Sequence, residues 1–275
     1  MKYTMQSTKY VAKNLIYILP FAIIPALFLA FSTDEGAIFK VLKAVYHGDL
    51  RKWTFGELFC AISVFNFGSW QSIVFGILGL LLIVPCVALM MALLEKHFRI
   101  GKRTFNGIWG KLNDNFLSTL WYIIVLLAIF EVWSLLLAAF LFLFSRISVA
   151  AVAYVLVALV YLAMHVLLLY AIGAIYLWLP CMQITGFRAF EALNYSYQLI
   201  TPVKWMLIAG QLAVLFSVEI LLGLCVAFIR AEIAFFIWTT ILYAIIIMTF
   251  CVRMQIVYFA RDNIERADLL GYYQK

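Results

Sequence analysis

LLLIVPCVALMMALLEKHFRIGKRTFNGIWGKLNDNF, Leu80 to Phe116, decides the fold class. Its first fifteen residues carry no charge, and Lys96, Arg99, Lys102, Arg103 and Lys111 then follow in quick succession. A backbone in hydrocarbon must satisfy its own polar groups, so such a run is a spanning helix. A membrane barrel would need alternating polar and apolar residues, which this run lacks. The basic cluster marks where the helix meets head groups and identifies the side of the membrane on which it emerges.

Outward from this stretch the same grammar repeats. Of the 275 residues 67% are hydrophobic and 12% are charged, more apolar surface than one soluble globule of this length can bury. Six runs are long enough for a hydrocarbon core of about 30 Å, which takes about 20 helical residues. They cover roughly 15–31, 72–94, 116–144, 148–179, 203–228 and 232–259. The first is longer than a signal-peptide core and has no clean cleavage site after it, so it reads as a retained span. The five cysteines, at 60, 86, 181, 225 and 251, stand singly and form neither a metal knuckle nor a disulfide framework.

With the N-terminus inside, fourteen of the twenty basic residues fall on the cytoplasmic side and six, Lys40, Lys43, Arg51, Lys52, Arg146 and Arg230, outside. The positive-inside rule therefore puts both termini in the cytoplasm. Arg99, Lys102, Arg103, Lys111 and Arg188 become candidate contacts for anionic lipid head groups, at about 1 kcal/mol for each basic residue near the surface. No nucleic-acid reader module accompanies so short a patch.

IGKRTFNGIWGKLNDNF recurs as TGFRAFEALNYSYQLIT, Thr185 to Thr201: Gly101, Arg103, Phe105 and Ile108 fall on Gly186, Arg188, Phe190 and Leu193. The apolar residues in each copy, Phe105, Ile108, Trp109, Leu112 and Phe116 against Phe190, Leu193, Tyr197 and Ile200, recur at helical spacing. That is the pattern of an amphipathic helix lying in the interface before the chain enters a span. A third, fainter copy, KYVAKNLIYILP, precedes the first span. The expected fold is an all-α integral membrane protein of six transmembrane helices. It is arranged as three parallel units, each an interfacial helix followed by a transmembrane hairpin. The outer connection 32–71 is expected to rest one or two helices, AIFKVLKAVYHG and FGELFCAISVF, on the outer leaflet.

The run PCVALMMALLEKHFRIGKRTFNGIWGKLNDNFLSTLWYIIV, Pro85 to Val125, resembles the central region of the YesL-like bacterial membrane proteins. LPCMQITGFRAFEALNYSYQLI resembles the membrane domain that accompanies some glycerophosphodiester phosphodiesterases. The resemblance implies a six-span protein of the bacterial inner membrane. It brings no catalytic motif.

Ionisable residues inside spans carry the sharpest functional signal, since each costs at least about 2.5–3.5 kcal/mol at the bilayer centre unless paired or wetted. Glu131, His165 and Glu219 stand near the middle of their spans. The 85-residue repeat offset carries position 131 to 216, one turn from Glu219 on the same helical face. One reading is a proton or cation site of a small transporter; the other is a polar clamp that fixes helix packing. Pro20, Pro25 and Pro85 are kinks or, in the transport reading, broken-helix positions. Arg253, near the cytoplasmic end of the last span, is expected to snorkel or to pair with a deeper carboxylate.

An enzyme would need converging reactive groups. The sequence has no G-x-S-x-G elbow, H-E-x-x-H, acidic metal cluster or phosphate loop. The nearest set, Glu95, His97 and Arg99, is splayed over different faces of a helix. The expected function is a non-catalytic membrane component, an accessory or scaffold subunit without cofactor or metal. Its partners are lipids and either a partner membrane protein or a second copy. The transporter is the first alternative, and a lipid-modifying enzyme a distant second.

Overall fold

A computed structural model describes residues 2–33, 52–63, 70–228 and 232–269, and all regular structure among them is helical. The helices are α1 (Lys2–Lys13), α2 (Leu15–Ser32), α3 (Phe55–Ile62), α4 (Trp70–Ile100), α5 (Ile108–Ser145), α6 (Ala150–Ala174), α7 (Trp178–Thr185), α8 (Ala189–Ile200), α9 (Lys204–Phe228) and α10 (Glu232–Arg261). Six stretches are long and apolar enough to cross a membrane, with α6 and α7 together making the fourth. This is a multi-pass integral membrane protein.

The interior is built on α2, α4 and α10, which pack on one another. On α2 the buried Ala22, Ala26 and Ala30 recur every fourth residue, and such a small-residue stripe lets helix backbones approach closely. The approach is visible at Gly79 of α4, where an added Cβ would lie 3.0 Å from a Leu29 methyl. From Val84 to Phe98 almost every residue of α4 is buried, as is the run Cys251–Phe259 of α10. Helices α5, α6 and α9 are buried on one side only and turn residues such as Leu117, Trp121, Leu159 and Leu221 outward. That distribution suits helices whose outer face meets lipid.

Two expectations need correction. The interfacial helix expected within 105–116 is no separate element: α5 runs unbroken from Ile108 to Ser145. At 38 residues and 1.5 Å each it is about 57 Å long, well beyond the hydrocarbon core. Gly107, in the left-handed region at φ 71°, starts it, and nothing inside it breaks the hydrogen-bond ladder. The fourth span, expected as one helix, is interrupted at Ile175–Leu177. Pro180 accounts for this, because a proline ring clashes with the carbonyl four residues earlier, here that of Tyr176. The described helix of the outer connection is α3. It packs along α5, Leu58 against Ala138, and places Ser63 against Glu131. The other helix expected in the outer connection, AIFKVLKAVYHG, lies outside the described residues.

At one end of the bundle α4, α7 and α10 each finish on a left-handed residue: Gly101 (φ 70°), Gly186 (φ 73°) and Asn263 (φ 52°). That conformation closes a helix end most easily with glycine or asparagine. The same end gathers α1 and α8. Tyr195 of α8 and Tyr258 both donate to the Asp262 carboxylate, and Arg261 Nε donates to the Leu199 carbonyl at 3.0 Å. Lys204 begins α9 with its ammonium 3.5 Å from the Tyr170 ring centre, a cation–π contact.

Candidate functional site

Helix α1 buries Ser7, Tyr10 and Val11, and Asn14 continues the same face at the junction with α2. Tyr3 and Thr4 are half-buried, and Lys9 and Lys13 stay in solvent. The buried face docks on α10 and the end of α4, where the Tyr10 hydroxyl and Nδ1 of His97 hydrogen-bond out of contact with solvent. After Asn263 the chain doubles back, and Ala267–Leu269 packs beside α4 with the Arg266 guanidinium 4.1 Å from the Phe98 ring centre.

Between these pieces lies a cleft of about 1090 Å³. Its walls come from three distant parts of the chain: Lys9, Tyr10, Lys13 and Asn14 of α1, His97 with Gly101–Thr104, and Arg266–Leu269. Arg266 and Asp268 neutralise one another through a two-pronged pair at 3.0 and 2.7 Å. Lys9, Lys13 and Arg103 are exposed and leave the cleft cationic. Asn14 adds a specific demand. It is 4% exposed, its Nδ2 donates to the Tyr10 carbonyl at 2.9 Å, and its Oδ1 has no donor among the described residues. A buried acceptor facing a cationic cleft suits a ligand that carries both an anion and a hydroxyl or ammonium donor. Tyr10 stays a neutral phenol, because burial first, and then the Asp268 carboxylate, push its ionisation well above the ordinary value.

The head-group candidates separate. Lys102 and Arg103 line the cleft, whereas Arg188 does not. Arg99 Nε pairs with Glu95 at 3.2 Å, and Lys111 Nζ approaches the other oxygen of that carboxylate at 4.0 Å. Arg188 starts α8, and its exposed backbone N–H donates to Glu191 at 3.2 Å. Glu95 and His97 point to different neighbours, the first to Arg99 and Lys111, the second to Tyr10.

The midplane candidates lie on neighbouring helices. Glu131 of α5 accepts from Ser63 Oγ at 2.9 and 3.1 Å and from Ser134 Oγ at 3.3 Å. His165 of α6 is 1% exposed, with Nδ1 2.8 Å from the Tyr161 carbonyl and the Trp133 ring edge-on at 5.1 Å. Trp133 links the pair of helices, its indole donating to the Met164 carbonyl at 2.7 Å. Glu219 is on α9, and its side chain lies outside the described residues.

Sequence reasoning missed Tyr10, Asn14 and the 266–269 segment, whose roles arise from docking between remote segments. The available signal was the run KYVAKN, whose polar Asn14 occupies a position on the buried face of the helix. No known protein family, curated protein or solved structure matches the chain.

Proposed function

We propose that this protein is a non-catalytic component of the bacterial inner membrane. Its cytoplasmic end binds an anionic phospholipid head group, and it serves as an accessory or scaffold subunit for a partner membrane protein or a second copy. The observation that carries the reading is the cationic cleft floored by the Asn14 Oδ1 acceptor. Phosphate oxygens satisfy Lys9, Lys13 and Arg103, and a head-group hydroxyl satisfies Asn14, a complement that phosphatidylglycerol offers. The basic majority on this side supports both termini facing the cytoplasm. The three left-handed caps, at Gly101, Gly186 and Asn263, support three repeated units, the second of which has its interfacial helix fused into α5.

The test is lipid retention. The protein, reconstituted in nanodiscs of phosphatidylcholine alone or with phosphatidylglycerol, is released into native mass spectrometry. Wild type retains phosphatidylglycerol, and a Lys9→Ala, Lys13→Ala, Arg103→Ala triple variant loses it. Equal retention by the triple variant, or indifference to head group in wild type, sinks the reading.

A second reading, proton- or cation-coupled transport through Glu131, His165 and Glu219, draws on one observation. Glu131, a carboxylate within a span, is held in place by the hydroxyls of Ser63 and Ser134. Proton flux into liposomes that survives Glu131→Gln unchanged would remove it.

A further inference from the structure

Arg253 of α10 is 2% exposed and lies eight residues inside the end of a membrane-spanning helix. Burying a guanidinium there is costly unless something offsets its charge. The carboxylate expected from the sequence is not there: among the described residues none lies within 4 Å of it. Two contacts hold it, Nε to the Tyr176 hydroxyl at 3.1 Å and Nη1 to Thr4 Oγ1 at 3.3 Å. A guanidinium has five N–H donors, so these two contacts leave most of its capacity unused.

Its neighbours are donors as well. Tyr176 is the common point. It sits in the interruption between α6 and α7, so a break in a span delivers its hydroxyl to the bundle interior. Irregular backbone at such depth occurs where it is buried in protein or lines a polar site, and discontinuous helices are a recurrent way of presenting ligand-binding groups within membranes. The Gln211 amide of α9 neighbours the same hydroxyl, and among the described residues its buried Nε2 finds no acceptor in full hydrogen-bonding geometry. Tyr122 of α5, 1% exposed, interacts electrostatically with Tyr176, and its hydroxyl has no hydrogen-bond partner among the described residues. Gly210 brings α9 close: a Cβ there would lie 2.9 Å from Thr4 Oγ1 and 3.9 Å from Arg253 Nη1. Five segments thus converge on one buried point with a positive charge and several donors in search of an acceptor.

We propose that Arg253, Tyr176, Gln211 and Tyr122 form a binding site for a single oxyanion group, phosphate or carboxylate, covered on the cytoplasmic side by α1 through Thr4. The oxyanion accepts from the spare guanidinium N–H groups, the Gln211 amide and the two phenols, and supplies the missing counter-charge. The site is separate from the cationic cleft, which lies at the Tyr10 end of α1.

Thermal unfolding of the full-length protein in neutral detergent, followed by tryptophan fluorescence, tests this with inorganic phosphate, acetate and a short-chain phosphatidic acid as probes. Sodium chloride matches the ionic strength. A saturating probe raises the unfolding midpoint by a few degrees, as any ligand selective for the folded state does. Tyr122→Phe deletes an unpartnered buried hydroxyl, so the unliganded variant is at least as stable as wild type. It nevertheless needs about tenfold more anion for the same rise. Gln211→Leu behaves alike, Arg253→Lys keeps part of the response and Arg253→Gln loses it. A response to free phosphate or acetate identifies a soluble anion, and a response to phosphatidic acid alone identifies a lipid head group; either supports the site. A Lys9→Ala, Arg103→Ala variant retains the response, which separates this site from the cleft. The proposal is overturned if sodium chloride alone gives the same rise, if no probe shifts wild type, or if Tyr122→Phe and Gln211→Leu both respond as wild type does.

Discussion

The hydroxyl of Tyr10 and Nδ1 of His97 are joined by a buried hydrogen bond across 87 residues of sequence, and this bond fastens the first helix to the end of α4. Tyr10→Phe leaves the imidazole buried without its partner, at a cost of about 1–3 kcal/mol. The expected outcome is local. Amide hydrogen exchange across Lys2–Lys13 accelerates by at least tenfold while α4 and α10 keep their protection. Unchanged exchange in α1 would show that the bond does not hold the helix down.

The same phenol sets a pH dependence. Burial raises its ionisation above the ordinary 10.0, so the folded protein holds the proton more tightly than the unfolded chain. Its contribution is therefore complete below pH 10 and is lost as pH rises from there through the raised value. Unfolding midpoints in detergent should fall above pH 10, and the fall should be shallower in Tyr10→Phe.

Two glycines of α4 should answer differently to the same change. A Cβ at Gly79 would meet Leu29 at 3.0 Å on its side chain and 3.2 Å at its backbone nitrogen, whereas at Gly76 the nearest atom, Ser32 Cβ, is 3.5 Å away. Gly79→Ala therefore pushes α2 from α4 and destabilises by about 1–3 kcal/mol, while Gly76→Ala is tolerated. Urea or SDS unfolding of the two variants side by side checks the contrast.

Glu131 distinguishes a clamp from a proton site by the identity of its replacement. Glu131→Gln preserves an acceptor for Ser63 and keeps α3 in place. Glu131→Leu removes it and costs about 1–2 kcal/mol, with α3 released first. Protease nicking near Ser63 in the Leu variant but not the Gln variant is the expected pattern.

Topology is open to direct chemistry. In right-side-out bacterial cells, a Lys9→Cys protein should react with an impermeant maleimide only after the inner membrane is breached, and a Ser148→Cys protein should react without that step. The native cysteines are first replaced by alanine or serine. The opposite order would invert the orientation drawn from the basic residues.

The six spans were legible because the bilayer fixes their length and an uncharged run such as Leu80–Leu94 has few other destinies. Their details were less so. Hydropathy sees no difference between a straight helix and one opened at Ile175–Leu177, although Pro180 held the information. The charge cluster at 99–111 was read as one patch, yet the fold divides it: Arg99 and Lys111 turn to Glu95, and Lys102 and Arg103 turn to the cleft. Helical spacing gives the face of a residue within its own helix, not the segment it will meet. Tyr122 and Gln211 gave no signal because a polar residue in a span looks the same whether it faces a neighbouring helix or closes a buried site.

The contact between Thr4 and Arg253 spans 249 positions, nearly the whole chain, and so imposes a timetable. At roughly 5–20 residues per second of synthesis, the amino-terminal helix waits at the membrane surface for tens of seconds before the guanidinium it covers has been made. The last span carries an arginine that resists insertion on its own, and it enters a membrane where the break between α6 and α7 already offers Tyr176 and α9 offers Gln211. Biogenesis therefore finishes with closure from both ends of the polypeptide. A ribosome that stalls before codon 253 leaves behind five inserted spans and a first helix that lacks its contacts with α10, a product that quality-control proteases can grasp.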